Sequence, residues 1–299
     1  VSAFCNSFPM SVVPTYVQDG EIKFGPIEDG FKDYITLMHD WYEKGYIESD
    51  FISDNSNWNG PDYANAITTG DAGIFYCDWG NLGGYIEASE IDGFALEATY
   101  DMHASEDSTN HFGTFITKSA SNGFRISTNC ENVELACQWG DWWYSEEGSL
   151  LANYGVEGEG FEYVDGVPTF TSLVTDSDLG MRDALLVYAS NGTINCVIDN
   201  NAVASGYSEV DKAAPEIWAK GMDDAYVIPT SMALSADQST EAANIYSDIQ
   251  TLCMESIAKF ITGDKSLDEF DDFVQQIEDM GIQDYLDIYQ ECYDDYMAR

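Results

Sequence analysis

The sequence has 299 residues, 44% hydrophobic and 14% aromatic, which is enough for a substantial core and excludes a disordered chain. Its 54 acidic and 11 basic residues give a net charge of −43, which disfavours nucleic acids and anionic ligands because both would be repelled. No run of about 18 apolar residues occurs, so no transmembrane helix is predicted.

The first part of the chain contains two predicted helices and a predicted strand. Apolar residues recur at three- and four-residue spacing over residues 31–43, which predicts an amphipathic helix that ends at Gly45. A shorter helix is predicted over residues 63–68. The apolar run 72–76 is interpreted as a buried strand, and Asp78-Trp79-Gly80 follows it directly.

The rest of the chain is mainly helical. Asn129 or Asn132 can cap a helix that runs to about Ser145, and Asp165-Gly166 predicts a hairpin over residues 161–170. The other predicted elements are a strand over 112–117 and helices over 179–189, 209–220, 240–262, 267–280 (opened by a capping box at Ser266) and 282–297. Because the strands are short and far apart in sequence, crossover connections are implied and the predicted class is α/β.

The tryptophans and neighbouring polar residues are the candidate ligand contacts. Ligands bind beyond the carboxyl ends of strands in open α/β sheets, so Trp79 offers a flat ring and Asp78 an acceptor for hydroxyl groups. Tyr76 at the strand end and Trp58 in a polar loop are further candidates. The alternative is a core Trp79 with Asp78 as a local cap. Three more tryptophans at helical spacing are predicted to be core residues: Trp139, Trp142 and Trp143.

The sequence shows no signature of catalysis or of a metal site. It contains three histidines and none of the HExxH, GxSxG or GxxxxGK[ST] motifs. Asp176-Ser177-Asp178 begins a calcium-loop pattern that Leu179 and Gly180 do not complete. Seven cysteines form no CxxC pair. We therefore predict no catalytic residue, metal or cofactor, although 54 acids leave a glycoside hydrolase open.

Several blocks in order resemble family 1 extracellular solute-binding proteins of ABC importers, in the sugar-type subgroup of large lipoproteins. GFKDYITLMHDWYEKGYIESDF resembles the family's helix before "GLIxxDF", and ITTGDAGIFYCDWGNLGGYI its strand and loop with a tryptophan. NCENVELACQWGDWWYSEEGSLLANYGVEGEGFEYVDGVPTFT is similar to its central helix and hairpin. The ending KFITGDKSLDEFDDFVQQIEDMGIQDYLDIYQECYDDY is similar to its C-terminal helices.

The resemblance implies a two-lobed, type II periplasmic-binding-protein-like fold. It implies that a neutral oligosaccharide binds in an inter-lobe cleft and is delivered to a membrane permease. The protein would be an extracellular bacterial lipoprotein. The family's N-terminal part carries the lipid anchor, and nothing in this sequence, which starts at Val1, matches that part. The family's stacking tryptophan corresponds to Trp79 and its preceding polar residue to Asp78.

The lobe assignment that follows from the resemblance is also an expectation. Residues 1–104 are assigned to the second lobe, and residues 105–234 mainly to the first, with a hairpin insertion near 161–171. Residues 235–299 are assigned to helices that return to the second lobe. Two alternatives stay open: a peptide or other small solute as ligand, and a secreted acidic glycoside hydrolase or carbohydrate-binding module.

Overall fold

A computed structural model of the chain describes residues 15–49, 51, 61–99, 109–112, 124–190, 194–220, 222–229 and 231–299. The strands are β1 (Thr15–Gln18), β2 (Glu21–Phe24), β3 (Phe161–Val164) and β4 (Val167–Phe170). The helices are α1 (Asp29–Glu43), α2 (Pro61–Thr68), α3 (Leu82–Ala88), α4 (Val133–Trp142), α5 (Glu146–Tyr154), α6 (Ser172–Thr175), α7 (Met181–Tyr188), α8 (Asn200–Ala204), α9 (Glu209–Trp218), α10 (Ala236–Thr262), α11 (Phe270–Asp279) and α12 (Ile282–Met297).

The chain forms two compact units. The first unit comprises Val1–Tyr76, Thr99–Thr114 and Glu216–Arg299, and the second comprises Cys77–Ala98 and Phe115–Pro215. Each unit is therefore built from segments that are distant in sequence. None of the helices within the described ranges is long and apolar enough to cross a bilayer.

The first unit begins with an antiparallel hairpin of β1 and β2, in which Thr15 pairs with Phe24. Its turn residues, Asp19 and Gly20, both have positive φ angles (53° and 85°). Asp-Gly tolerates this conformation, which matches the twist of the two strands. The hairpin was absent from the sequence predictions.

Helices α1, α10, α11 and α12 supply the large core of the first unit. The prediction of α1 is confirmed, since its apolar stripe is buried. Ser235 and Gln238 form a capping box at the start of α10, and Gly263 ends it in the left-handed region. The predicted box at Ser266 is also present, but it opens a 3-10 turn before α11 begins.

The second unit has a smaller core under α5, α7 and the β3–β4 hairpin. Its buried residues are Tyr154, Phe161, Phe170, Val174, Ala184, Leu185 and Ala202. The predicted hairpin is confirmed, with Asp165 and Gly166 at positive φ in the turn. Of the two predicted cap candidates, Asn132 is the one that caps α4, by accepting a hydrogen bond from the Leu135 N–H.

The predicted strand over residues 72–76 is wrong. The segment is irregular, and Ile74 and Tyr76 are 64% and 50% exposed. The backbone of Tyr76 hydrogen-bonds to the Tyr63 hydroxyl through both its N–H and its carbonyl, and the Ala72 N–H donates to the Ala66 carbonyl. The backbone of this segment therefore hydrogen-bonds to nearby residues of the chain and not to a neighbouring strand. The predicted strand over 112–117 lies outside the described residues apart from Phe112.

The prediction that Trp139 and Trp142 are core residues is also wrong, since they are 53% and 37% exposed and no residue of α4 is buried. Trp143, which follows α4, is partly buried. Helical spacing of tryptophans identifies a shared face. It does not by itself identify what covers that face.

The core of the first unit predicts a strong contrast within α10. Ile249 is fully buried, whereas Met254 in the same helix is 68% exposed. We expect Ile249→Ala to lower the free energy of unfolding by about 2–5 kcal/mol, because it removes buried methyl groups and leaves a cavity.

Met254→Ala is the matched control, with an expected change below about 0.5 kcal/mol. Urea unfolding followed by far-UV circular dichroism measures both. Equal losses for the two variants would contradict the placement of this core.

Candidate functional site

Three of the four predicted ligand contacts lie in one short stretch of chain. Tyr76 is the last residue of a segment of the first unit, and Asp78 and Trp79 lie just inside the second. Tyr76 and Asp78 are exposed and Trp79 is partly buried. Trp58 falls within residues 52–60, outside the described ranges.

The indole ring of Trp79 is fixed by contacts with a distant segment of the second unit. Its Nε1–H donates a 2.7 Å hydrogen bond to the backbone carbonyl of Asp211. The Tyr207 ring meets it edge to face, with centroids 5.1 Å apart and an interplanar angle of 82°. A polar and an apolar contact therefore define the orientation of the ring.

The Asp211 carboxylate organises the backbone that follows Trp79. Asp211 is only 1% exposed, and its two oxygens accept hydrogen bonds of 2.9 Å from the N–H groups of Leu82 and Gly83. The Ser208 hydroxyl donates to the same carboxylate at 2.6 Å. The buried charge thus satisfies N–H groups at the start of α3, where a negative charge is also favoured by the helix dipole.

Two glycines permit this close approach. Gly80 has φ +99°, and a Cβ there would overlap the Tyr207 ring. A Cβ at Gly83 would lie 2.7 Å from the Ser208 Cβ and 3.0 Å from an Asp211 carboxylate oxygen. Both positions require glycine, because a side chain would separate the Trp79 segment from the segment of residues 207–211.

The arrangement suits recognition of a ligand with apolar faces and hydroxyl groups. Trp79 presents a partly exposed ring whose orientation is already set, and Asp78 places an exposed carboxylate beside it in the chain. An aromatic face packs against the C–H face of a sugar ring, and a carboxylate accepts hydrogen bonds from hydroxyl groups.

The histidines do not indicate a metal site. His111 bonds through Nδ1 to Asp223 at 2.8 Å, and this hydrogen bond lowers the pKa of Asp223. His39 bonds the Ile261 carbonyl at 3.0 Å, which is a packing role within the first unit. His103 lies outside the described ranges. No group of three or more potential ligands gathers among the residues the structure describes.

Sequence reasoning missed Tyr207 and Asp211, which lie about 130 positions from Trp79 in the chain. The pattern Ser208-x-x-Asp211 at the start of α9 is a helix-start signal that could have drawn attention to this segment. That signal predicts the local Ser208–Asp211 contact. It does not predict that the same carboxylate binds the start of α3.

The close packing at Gly83 predicts opposite effects for two adjacent glycines of α3. Gly83→Ala should destabilise the second unit by about 1–3 kcal/mol, because the new methyl group displaces Ser208 or Asp211. A methyl group at Gly84 would meet no heavy atom of the described residues within 4 Å. Gly84→Ala should therefore stabilise α3 by about 0.5–1 kcal/mol. Thermal unfolding followed by tryptophan fluorescence distinguishes the two variants. An unchanged midpoint for Gly83→Ala would refute the close packing of Gly83 against Ser208 and Asp211.

Cys77 provides a chemical reporter for this segment. Burial, followed by the negative charges of Asp211 and Asp78, raises the pKa of the Cys77 thiol to about 11. Because the thiolate is the nucleophile, its alkylation by iodoacetamide should accelerate from pH 8 towards pH 11. Asp78→Asn removes one negative charge, so it should lower this pKa and speed labelling at pH 9. Mass spectrometry follows the labelling, with the exposed Cys137 as reference. Slower labelling of the variant would contradict the assignment.

Comparisons with known proteins place the fold. No protein-family model matches the sequence. The fructooligosaccharide ABC transporter substrate-binding protein FusA of Streptococcus pneumoniae is 22% identical over 94% of this chain. The matched region is 52% of FusA, so the chain spans about half the length of this curated relative.

Solved structures give the same result. The alginate-binding protein AlgQ2 superposes on 98% of this chain with a TM-score of 0.69 and 19% identity, and 61% of AlgQ2 is covered. A solute-binding protein from Bifidobacterium longum infantis, described as binding human milk oligosaccharides (HMO), has a TM-score of 0.62 and 17% identity, with 98% and 61% coverage. The chain therefore has the helix-rich α/β, periplasmic-binding-protein-like fold of ABC-transporter solute-binding proteins, and the predicted resemblance is confirmed at that level.

Proposed function

We propose that this protein is the extracellular solute-binding component of an ABC importer and that it binds a neutral oligosaccharide. The names of the relatives support this proposal, since FusA is a fructooligosaccharide-binding protein and the Bifidobacterium protein is described as binding HMO. The delivery of bound sugar to a membrane permease is part of the same proposal. We further propose that the two compact units correspond to the two lobes that the family resemblance implies.

The observation that carries the proposal is the fixed orientation of Trp79. A ring held by the Asp211 carbonyl and the Tyr207 edge loses little side-chain freedom when a ligand binds. We assign stacking on a sugar ring to Trp79 and hydroxyl recognition to Asp78. Tyr207 would provide a second aromatic surface beside Trp79. Tyr76 and Trp58 remain proposed contacts of the same ligand.

Charge favours a neutral ligand over an anionic one. The chain has 11 basic residues against 54 acidic ones. Lys212, next to Asp211 in α9, pairs with Glu209 at 2.9 Å. The carboxylates near Trp79 include Asp78 and Asp211. Their negative charge would repel a carboxylate or phosphate ligand. Hydroxyl groups of a neutral sugar donate to carboxylates without this cost.

The proposal includes the absence of catalysis and the location outside the cell. This part of the proposal is supported by the names of the relatives, which describe an ABC transporter substrate-binding protein and a solute-binding protein. A lipid anchor on the bacterial surface is the proposed attachment. No resident metal or cofactor is proposed.

Replacement of Trp79 tests the site. We expect Trp79→Ala to weaken oligosaccharide binding by about 30-fold, which corresponds to about 2 kcal/mol for loss of a central aromatic contact. Isothermal titration calorimetry with kestose, longer fructo-oligosaccharides and human milk oligosaccharides measures this effect. Trp139→Ala, on the exposed face of α4, is the matched tryptophan control and should retain the affinity of the unaltered chain.

Chromatography of the same mixtures tests the absence of catalysis. The sugars should be recovered intact after prolonged incubation. Cleaved products would replace the binding-protein proposal with a glycoside hydrolase. If calorimetry detects binding of peptides and of no sugar, the proposed ligand becomes a peptide, while the assignment of the fold is unaffected.

A further inference from the structure

Both groups that orient the Trp79 ring come from one short segment of the second unit. The Asp211 carbonyl accepts the indole N–H at 2.7 Å, and the Tyr207 ring packs edge to face against the indole with centroids 5.1 Å apart. Because residues 207 and 211 bracket a single short stretch of chain, the orientation of the indole follows the position of that stretch. The interactions that hold residues 207–211 in place therefore control the aromatic face that a sugar would meet.

The Asp211 carboxylate joins this stretch to the chain after Trp79. One oxygen accepts the Leu82 N–H at 2.9 Å, and the other accepts the Gly83 N–H at 2.9 Å and the Ser208 hydroxyl at 2.6 Å. These donors lie on both sides of the contact, at the start of α3 and at residue 208. The side chain thus fixes the two segments against each other, while the backbone carbonyl of the same residue binds the indole.

Stability alone gives no reason for a buried charge at this position. The chain carries a net charge of −43, and the exposed carboxylate of Asp78 lies in the same part of the second unit. An asparagine of the same size would avoid the cost of burying a charge. Its amide has one acceptor oxygen, however, and the N–H groups of Leu82 and Gly83 bind different oxygens of Asp211. A carboxylate is therefore the group that engages both of these N–H groups together with Ser208.

Asp211 itself is not placed to touch a ligand. Its exposed fraction is 1%, and both carboxylate oxygens already accept hydrogen bonds from the protein. Trp79 is partly buried and Asp78 is exposed, so these two side chains form the accessible part of the site. Any effect of Asp211 on affinity must therefore act through the groups that it orients.

We propose that Asp211 is a positioning residue of the oligosaccharide site. Its carboxylate holds residues 207–211 against the start of α3 and so sets the Trp79 ring in the orientation that stacks on a sugar. A ring that is already oriented loses less freedom when the ligand binds, which strengthens binding without a new contact. The inference rests on the proposed function, because it takes Trp79 as the sugar-stacking residue.

Hydrogen exchange of the Trp79 indole in the ligand-free protein tests the positioning step by itself. Asp211→Asn keeps the size of the side chain and the backbone carbonyl, but it leaves an N–H at the start of α3 without its acceptor. The Trp79 Nε1–H signal in two-dimensional NMR spectra, identified by its loss in Trp79→Phe, should exchange about tenfold faster in this variant, as for loss of one hydrogen bond. An unchanged exchange rate would overturn the proposal.

Calorimetry with kestose and human milk oligosaccharides tests the consequence for binding. Asp211→Asn should weaken the affinity about tenfold, the lower end of the loss that follows removal of supporting hydrogen bonds around metal sites. Because the effect acts through the ring, the same substitution should cause no further loss in a Trp79→Ala background. An equal loss in both backgrounds, or no loss in the unaltered background, contradicts the proposal.

Asp199→Asn is the matched control, because Asp199 also satisfies an N–H group at the start of a helix of the second unit. Its carboxylate accepts the Asn201 N–H at 2.9 Å and the hydroxyl of Tyr154, a residue of the smaller core, at 2.8 Å. The substitution should lower the thermal midpoint and leave the affinity and the Trp79 exchange rate unchanged. If it weakens binding as much as Asp211→Asn does, general loss of stability explains both effects and the proposal is wrong.

Ser208→Ala keeps the test decisive if Asp211→Asn does not fold. It removes the hydroxyl that donates to the Asp211 carboxylate and retains the two backbone donors of α3. It should weaken the affinity about threefold, and only when Trp79 is present. An unchanged affinity would count against the proposal. If the unaltered protein binds no oligosaccharide, the proposed function fails, and the indole exchange rate still decides whether Asp211 holds Trp79.

Discussion

The buried carboxylate of Asp211 is the constraint on which the candidate site depends. It accepts hydrogen bonds from Leu82, Gly83 and Ser208, while the backbone carbonyl of the same residue accepts the Trp79 indole N–H. A carboxylate buried without such partners would strongly destabilise the fold, so the hydrogen bonds to Asp211 must form together. One residue of α9 thereby fixes both the start of α3 and the ring before it.

This arrangement explains how the irregular segment from Tyr76 to Gly83 satisfies backbone groups without a sheet. Its backbone groups bond to side chains and to a distant helix instead of to neighbouring strands. Glycines at 80 and 83 are the geometric consequence, because Tyr207 lies where a Cβ of residue 80 would stand, and Ser208 and Asp211 lie against that of residue 83. Irregular backbone held by a rigid scaffold is a common setting for binding residues, since it can aim side chains that a regular strand would turn away.

The sequence predicted the parts of the fold that depend on local signals. The stripe of α1, the Asn132 cap and the Asp165-Gly166 turn all appear, because their determinants lie within a few residues. The hairpin at Asp19-Gly20 carries the same turn signal and should have been recognised. The apolar run 72–76 was misinterpreted because periodicity in five residues cannot distinguish a strand from a segment held by side chains such as Tyr63.

The candidate site was only half predictable for the same physical reason. Trp79 and Asp78 were identified from their neighbourhood in the sequence, whereas Tyr207 and Asp211 orient Trp79 through tertiary contacts across about 130 positions. Helical spacing likewise placed the tryptophans of α4 on one face, but burial of a face depends on a partner that spacing does not specify. Local pattern therefore identifies which groups can bind, and long-range packing decides which of them are oriented to do so.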